Sequence, residues 1–182
     1  MTYLSRTGGL ATMVLEAVHG PTAVYSYDYG CRIALRLDGF SPRLFADRCV
    51  DDFTPREAER RGSLFPLAVG TSETWVLPGR ADRPATTWRC LTVDKVDYEG
   101  PLGVHPAHVI ECTHESHVRT YVFSDKIGLP IVSARRPIGG DDPGQDYYFE
   151  LCNFSLLNAP VPLPPPSNVP AKCAVAPDVA AL

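Results

Sequence analysis

Apolar and polar residues alternate along much of this chain, most cleanly between Thr86 and Ser124, where TTWRCLTVDKVDY, HVIECTH and HVRTYVF follow one another. A period of two is that of a strand with a buried face, and the short turn signals between the runs predict consecutive antiparallel strands. A hairpin centred on Glu99-Gly100-Pro101-Leu102-Gly103 sets Cys90 opposite Cys112, Thr92 opposite Ile110, Asp94 opposite His108 and Trp88 opposite His114. Opposed side chains on one face lie about 5 Å apart at Cβ, within reach of a disulfide after a small adjustment. A second hairpin turning at Glu115-Ser116 sets Ile110 against Tyr121 and His108 against Phe123. One face then gathers Trp88, Cys90, Ile110, Cys112, Tyr121 and Phe123, and the other Leu91, Val93, Val109 and Val122. Such a sheet needs cover on both sides, or it curls around something apolar.

The flanking regions extend this picture. Leu10, Met13, Val14 and Val18 fit a 3.6 period and predict a short amphipathic helix over Leu10–Val18. TAVYSYDYGCRIALRLDGF reads as two strands around Tyr29-Gly30, with Tyr25, Tyr27 and Tyr29 on one face, Val24 on the other, and Ile33, Leu35 and Leu37 alternating after them. Asp38-Gly39 makes a turn. Thr54 as N-cap and Pro55 at the first helical position predict a short charged helix, REAERR, closed by Gly62. LFPLAVG, SETWVL and LPIVSARR read as further strands, with a strand pair around QDYYFELCNFSLL. The predicted class is mainly β: a curved antiparallel sheet, half-barrel or open barrel, with one or two short helices and a Pro-rich C-terminal tail. Residues 1–158 form a single all-β domain. Residues 159–182, with Pro160, Pro162, Pro164, Pro165, Pro166, Pro170 and Pro177 and almost no charge, form an extended tail or linker.

Composition narrows the function classes. At 182 residues, 45% hydrophobic and 21% charged, the chain fits one globular domain. A net charge of −4 gives no electrostatic reason to expect nucleic acid as a partner. No run approaches the roughly 20 apolar residues of a membrane-spanning helix, so no integral membrane segment is expected. The cysteines are even in number and none sits in a CxxC pair. That favours disulfides in a periplasmic or secreted protein over a zinc ribbon. Cys31–Cys49 and Cys152–Cys173 follow from elimination and nearness in sequence once Cys90 and Cys112 are paired. The competing reading is a set of reduced, buried thiols in a cytosolic protein. Arg6 precedes the apolar run GGLATMVLEAVHG, but Glu16 interrupts it, so no signal peptide is recognisable. A trimmed mature chain with an added Met1 would reconcile this with the cysteine usage.

Candidate chemistry is sparse. His105, His108, His114 and His117 fall around Cys112 in an H-x2-H-x3-C-x-H-x2-H run, which has no recognised finger spacing. His108, His114 and His117 are minority metal candidates, with Glu115 or Cys112 as a further ligand. The solvated hairpin tip is the stronger reading. GGDDPGQD lacks the alternating carboxylates of a calcium loop, and no GxSxG elbow occurs. No cofactor and no catalytic residue is expected.

From Phe65 to Val132 the order FPLAVGTSETW, TTWRCLTVDKVDYEG, VHPAHVIECT and RTYVFSDKIGLPIV resembles a pattern in uncharacterised secreted bacterial domains similar to the lipoprotein-carrier group. The resemblance implies a strongly curved antiparallel half-barrel around an apolar cavity. It further implies a cell-envelope protein without catalytic activity, binding an apolar small molecule or an envelope protein. His105 interrupts the usual valine-proline step before Pro106-Ala107, and no lipobox cysteine lies near the N-terminus, so a covalent lipid anchor is not implied. On a curved sheet, Trp75, Trp88, Ile110, Tyr121, Phe123 and Ile131 are available for the concave side and could enclose a lipid-like chain. Their competing fate is a dry packed core. Two other functions stay open: an interaction module using a sheet edge or the Pro-rich tail, and a zinc-dependent hydrolase using His105, His108, His114 and His117.

Overall fold

The computed structural model describes residues 1–5, 9–20, 22–27, 30, 32–36, 59–79, 84–139 and 147–153, and none of these is helical. Among the described residues eleven strands form one antiparallel sheet in the order β4-β3-β2-β1-β11-β10-β9-β8-β7-β6-β5. The strands are β1 (Thr2–Ser5), β2 (Leu10–His19), β3 (Thr22–Tyr27), β4 (Arg32–Arg36), β5 (Glu59–Gly62), β6 (Ser72–Leu77), β7 (Thr86–Gly100), β8 (Gly103–Thr113), β9 (His117–Ser124), β10 (Leu129–Pro137) and β11 (Tyr147–Asn153). Two meanders, β1 to β4 and β5 to β11, are joined where β1 pairs with β11. The sheet is open, with β4 and β5 at its edges.

The predicted register holds through most of the central hairpins. Cys90 faces Cys112, Thr92 faces Ile110, Ile110 faces Tyr121 and His108 faces Phe123. Cys90 and Cys112 form a disulfide with their Cα atoms 4.0 Å apart. A bulge between Thr92 and Asp94 then shifts the ladder by one residue. His108 therefore faces Lys95 rather than Asp94.

Three assignments change. Leu10–Val18 is strand β2, not a helix: Ala11 and Met13 are buried at a period of two, and the segment is laddered to β1 and β3. Its apolar residues satisfy both templates, and the strand partners decide. Glu59–Gly62, the end of the expected REAERR helix, is strand β5 paired to β6, while residues 54–58 lie outside the described set. LFPLAVG is not a strand. This segment instead carries Leu64, fully buried, with Leu67 and Phe65 beside it. It is pinned to β7 by hydrogen bonds from Gly70 N to Thr92 O (2.8 Å) and from Thr92 N to Thr71 O (2.9 Å). The Asp38-Gly39 turn and the tail over 159–182 lie outside the described residues.

Residues directly opposite across antiparallel strands share a face. By that rule one face runs from Trp75 and Trp88 through Cys90, Cys112, Ile110, Tyr121 and Phe123, then by Ser133 to Phe149 and Leu151. It continues through Tyr3, Met13 and Tyr25 to Ile33 at the β4 edge. The second face carries the row Val109, Val122, Val132 and Glu150, with Ala107 and Tyr98 further along β8 and β7. On this face the Tyr98 hydroxyl donates to Glu150 Oε1 at 2.6 Å. β7 and β11 are separated by four strand spacings, roughly 19 Å in a flat sheet. The distal β7–β8 hairpin must therefore bend over the second face to make this contact.

Candidate functional site

Five of the six predicted wall residues meet. Trp75, Trp88, Ile110 and Tyr121 are buried in one apolar cluster with Leu64, Leu77, Cys90 and Cys112, and Phe123 packs against it. Ile131 belongs to a different cluster, with Tyr3, Met13, Tyr25, Ile33, Val132 and Leu151. The segment after β5 fills the first cluster: Leu64 is inserted into it and Phe65 meets Phe123 edge to face at 5.7 Å.

Inside this apolar surface sits Glu73, whose side chain is wholly buried. Its Oε1 accepts from Trp75 Nε1 at 2.7 Å, and its Oε2 lies 3.2 Å from Arg60 Nε. The Arg60 guanidinium stands over the Trp75 ring, 5.7 Å from its centroid. An isolated buried carboxylate is costly, and pairing with a cation and a ring N–H offsets that cost. The sequence reading missed Glu73. Its signal was the phase of SETWVL, which puts Glu73 on the same side as Trp75 and Leu77.

The four candidate histidines divide among three places. His105 places Nε2 2.9 Å from Leu102 O, beside the β7–β8 turn. His108 is buried and its Nδ1 lies 2.9 Å from Asp125 Oδ1, at the β9–β10 turn. His114 and His117 flank Glu115-Ser116 as expected, with ring centroids 5.1 Å apart. Trp88 meets both, tilted against His114 at 4.8 Å and edge-on to His117 at 5.1 Å, and the Arg119 guanidinium lies 5.2 Å from the Trp88 centroid. Ser116 Oγ bridges the two Nδ1 atoms, 2.9 Å from His117 and 3.3 Å from His114.

Burial, the Arg119 charge, His114 and Arg135 together push His117 down to about 4. Burial, joined by Arg119, also lowers His114, against an opposing pull from Glu115. Both imidazoles are thus held neutral near neutral pH. Among the described residues no three His, Cys, Asp or Glu side chains gather as a metal set. Cys112, the shared candidate ligand, is committed to its disulfide.

Cys152 is also disulfide-bonded, and its partner lies outside the described residues, because Cys90 and Cys112 bond each other. Cys31, Cys49 and Cys173 of the two further predicted pairings lie outside them too. No helix among the described residues is long and apolar enough to cross a membrane.

On the second face, Tyr98, Tyr148 and Glu150 form a polar clasp. Tyr98 and Tyr148 hydroxyls are 3.1 Å apart, and Tyr98 donates to Glu150. Burial, then the hydrogen bonds to Glu150 and Tyr148, hold the Tyr98 hydroxyl well above its usual range, so it stays protonated. No protein-family model, curated protein or solved structure matches the chain.

Proposed function

We propose that this chain is a non-catalytic binding domain of the cell envelope or of a secreted protein, holding an apolar, lipid-like ligand in a curved β-sheet of the half-barrel kind. The observation that carries the reading is the apolar row that crosses one face from Trp75 in β6 to Ile33 in β4. A one-layer sheet with such a face must fold a segment against it, curl upon itself, or bind an apolar guest. Leu64, Phe65 and Leu67 occupy the β6–β9 end. The β10–β4 end is built from strand residues. The apolar chain belongs there, along Ile131, Leu151, Tyr3, Met13, Tyr25 and Ile33, rather than on Trp75 and Trp88. The contact from β7 to β11 supports a curved sheet, and the Cys90–Cys112 bond supports an oxidising compartment.

The other functions have less behind them. A zinc hydrolase needs three converging ligands and an open position, and the histidines lie at three places along the sheet. Recruitment through the β5 edge is opposed by its shortness and by Glu59, Arg60 and Arg61, which blunt strand pairing.

Native mass spectrometry before and after organic extraction, with titration of a fluorescent fatty acid, tests the reading. Extractable extra mass and saturable binding, lost in Met13→Asp while the Cys90–Cys112 bond persists, support it. A bare mass together with no probe binding overturns it. Zinc retained after dialysis in place of lipid would favour the histidine cluster.

A further inference from the structure

We propose that the distal part of the β7–β8 hairpin is a strap, latched over the second face by Tyr98, Glu150 and Gly100, whose release uncovers a further apolar floor, on the face opposite the Ile131–Ile33 row, and opens it to an apolar chain. The gating of this floor extends the binding function proposed above and rests on it; the latch does not.

The strap is separable from the sheet for three reasons. β8 pairs with β9 only from Thr113 to Ala107, and Ala107 faces Val96, so residues 97–106 project past the last pair as a two-stranded ribbon. A ribbon of two strands has little stability of its own. The bulge between Thr92 and Asp94 bends β7 three residues before the ribbon leaves the sheet. Asp97 and Glu99 are exposed along it, and Asp94 and Lys95 at its root, so release does not oblige the ribbon to bury charge.

What holds it down is specific. Tyr98 donates to the Glu150 carboxylate at 2.6 Å and meets the Tyr148 hydroxyl at 3.1 Å. Gly100 completes the seat. A Cβ there would stand 2.8 Å from Glu150 Oε1 and 2.7 Å from the Tyr98 ring, so any larger residue pushes the clasp apart. Beneath lie Ala107, Val122 and Val132, all buried, with Tyr98, Leu102 and Ile127 packed against their cluster. The fastening is polar and the floor apolar. Water can replace the hydrogen bonds of an opened clasp, but it cannot satisfy the floor, which is then ready for an apolar chain.

Hydrogen exchange by mass spectrometry on the full chain and on Tyr98→Phe and Gly100→Ala tests the strap, with stopped-flow binding of a fluorescent fatty acid in parallel. Amides of residues 97–106 should exchange about tenfold faster in Tyr98→Phe, the loss of one charge-assisted hydrogen bond. Amides of β9 and β10 in the same samples should not change, which separates unlatching from unfolding. Probe association should accelerate in step with arm exchange. Unchanged arm exchange in both variants overturns the latch. Faster arm exchange with unchanged probe kinetics overturns the gating. If the unaltered protein binds no probe, the ligand reading and the gating fall together, and the exchange data alone decide the latch.

Discussion

The His117 imidazole shows how the fold sets the charge of one side chain. Its folded value of about 4 lies below the ordinary 6.5, because burial and the neighbouring Arg119, His114 and Arg135 disfavour the cation. The folded state therefore binds fewer protons than the unfolded chain between these values. The stability contributed by neutral His117 is complete above pH 6.5 and is lost as pH falls through about 4. Urea midpoints measured from pH 7 to pH 4 should fall, and His117→Gln should flatten part of that fall. Identical pH profiles for the two proteins would rule the account out. The sequence made the pairing of His114 with His117 across the tip legible, since Glu115-Ser116 announces a turn. It did not make the shift legible, because Arg135 reaches the site only through the β9–β10 register. Glu73 stood in plain view on the buried phase of SETWVL, yet a carboxylate there makes sense only once Arg60 is brought beside it by the pairing of β5 with β6.

At the scale of elements, alternation and turn residues were enough to place β7, β8 and β9 and to predict the Cys90–Cys112 bond. They failed where local pattern was ambiguous or interrupted. Leu10–Val18 satisfies helical spacing, and only its ladders to Tyr3 and Tyr25 make it a strand. Pro66 and the positive-φ Gly70 break LFPLAVG, and its apolar residues serve as a plug rather than a ladder. The bulge after Thr92 leaves no mark in composition, so the expected Asp94–His108 pair gave way to His108 with Asp125. The disulfide itself has a measurable consequence. It joins residues 22 apart, for which the chain-entropy relation gives about 3 kcal/mol. Replacing both Cys90 and Cys112 by Ala should lower the melting temperature by roughly 6–12 °C for a chain of this size. A double variant melting with the parent would show that the bond contributes nothing to stability.

For the whole molecule, the open antiparallel sheet was legible as a class, but the joining of its two meanders was not. Strand counting yields a meander; nothing in the alternation says that β1 returns to pair with β11, with Thr2 opposite Asn153. That pairing joins the two meanders and continues the apolar face from Leu151 to Tyr3 and on to Ile33. It also orders assembly. Pairings among β6, β7, β8, β9 and β10 close short loops between neighbours in sequence, whereas β1 must find a strand near the other end of the described chain. Loop closure grows costlier with separation, and nonlocal pairing is slow. A seam of four residues in β1, with a bulge after Thr2, offers few ladder bonds to compensate. Pulse-labelled hydrogen exchange during refolding, with disulfides intact, should therefore show amides of β7 to β9 protected before those of β1 and β2. Weakening the seam by Tyr3→Ser removes a buried ring and its 3.2 Å bond to Pro130 O. It should delay protection of β1 and β2 while leaving the β7–β9 phase unchanged. Simultaneous protection of all eleven strands, in the parent and in Tyr3→Ser alike, would mean that the sheet forms as one unit and that the seam does not limit its folding.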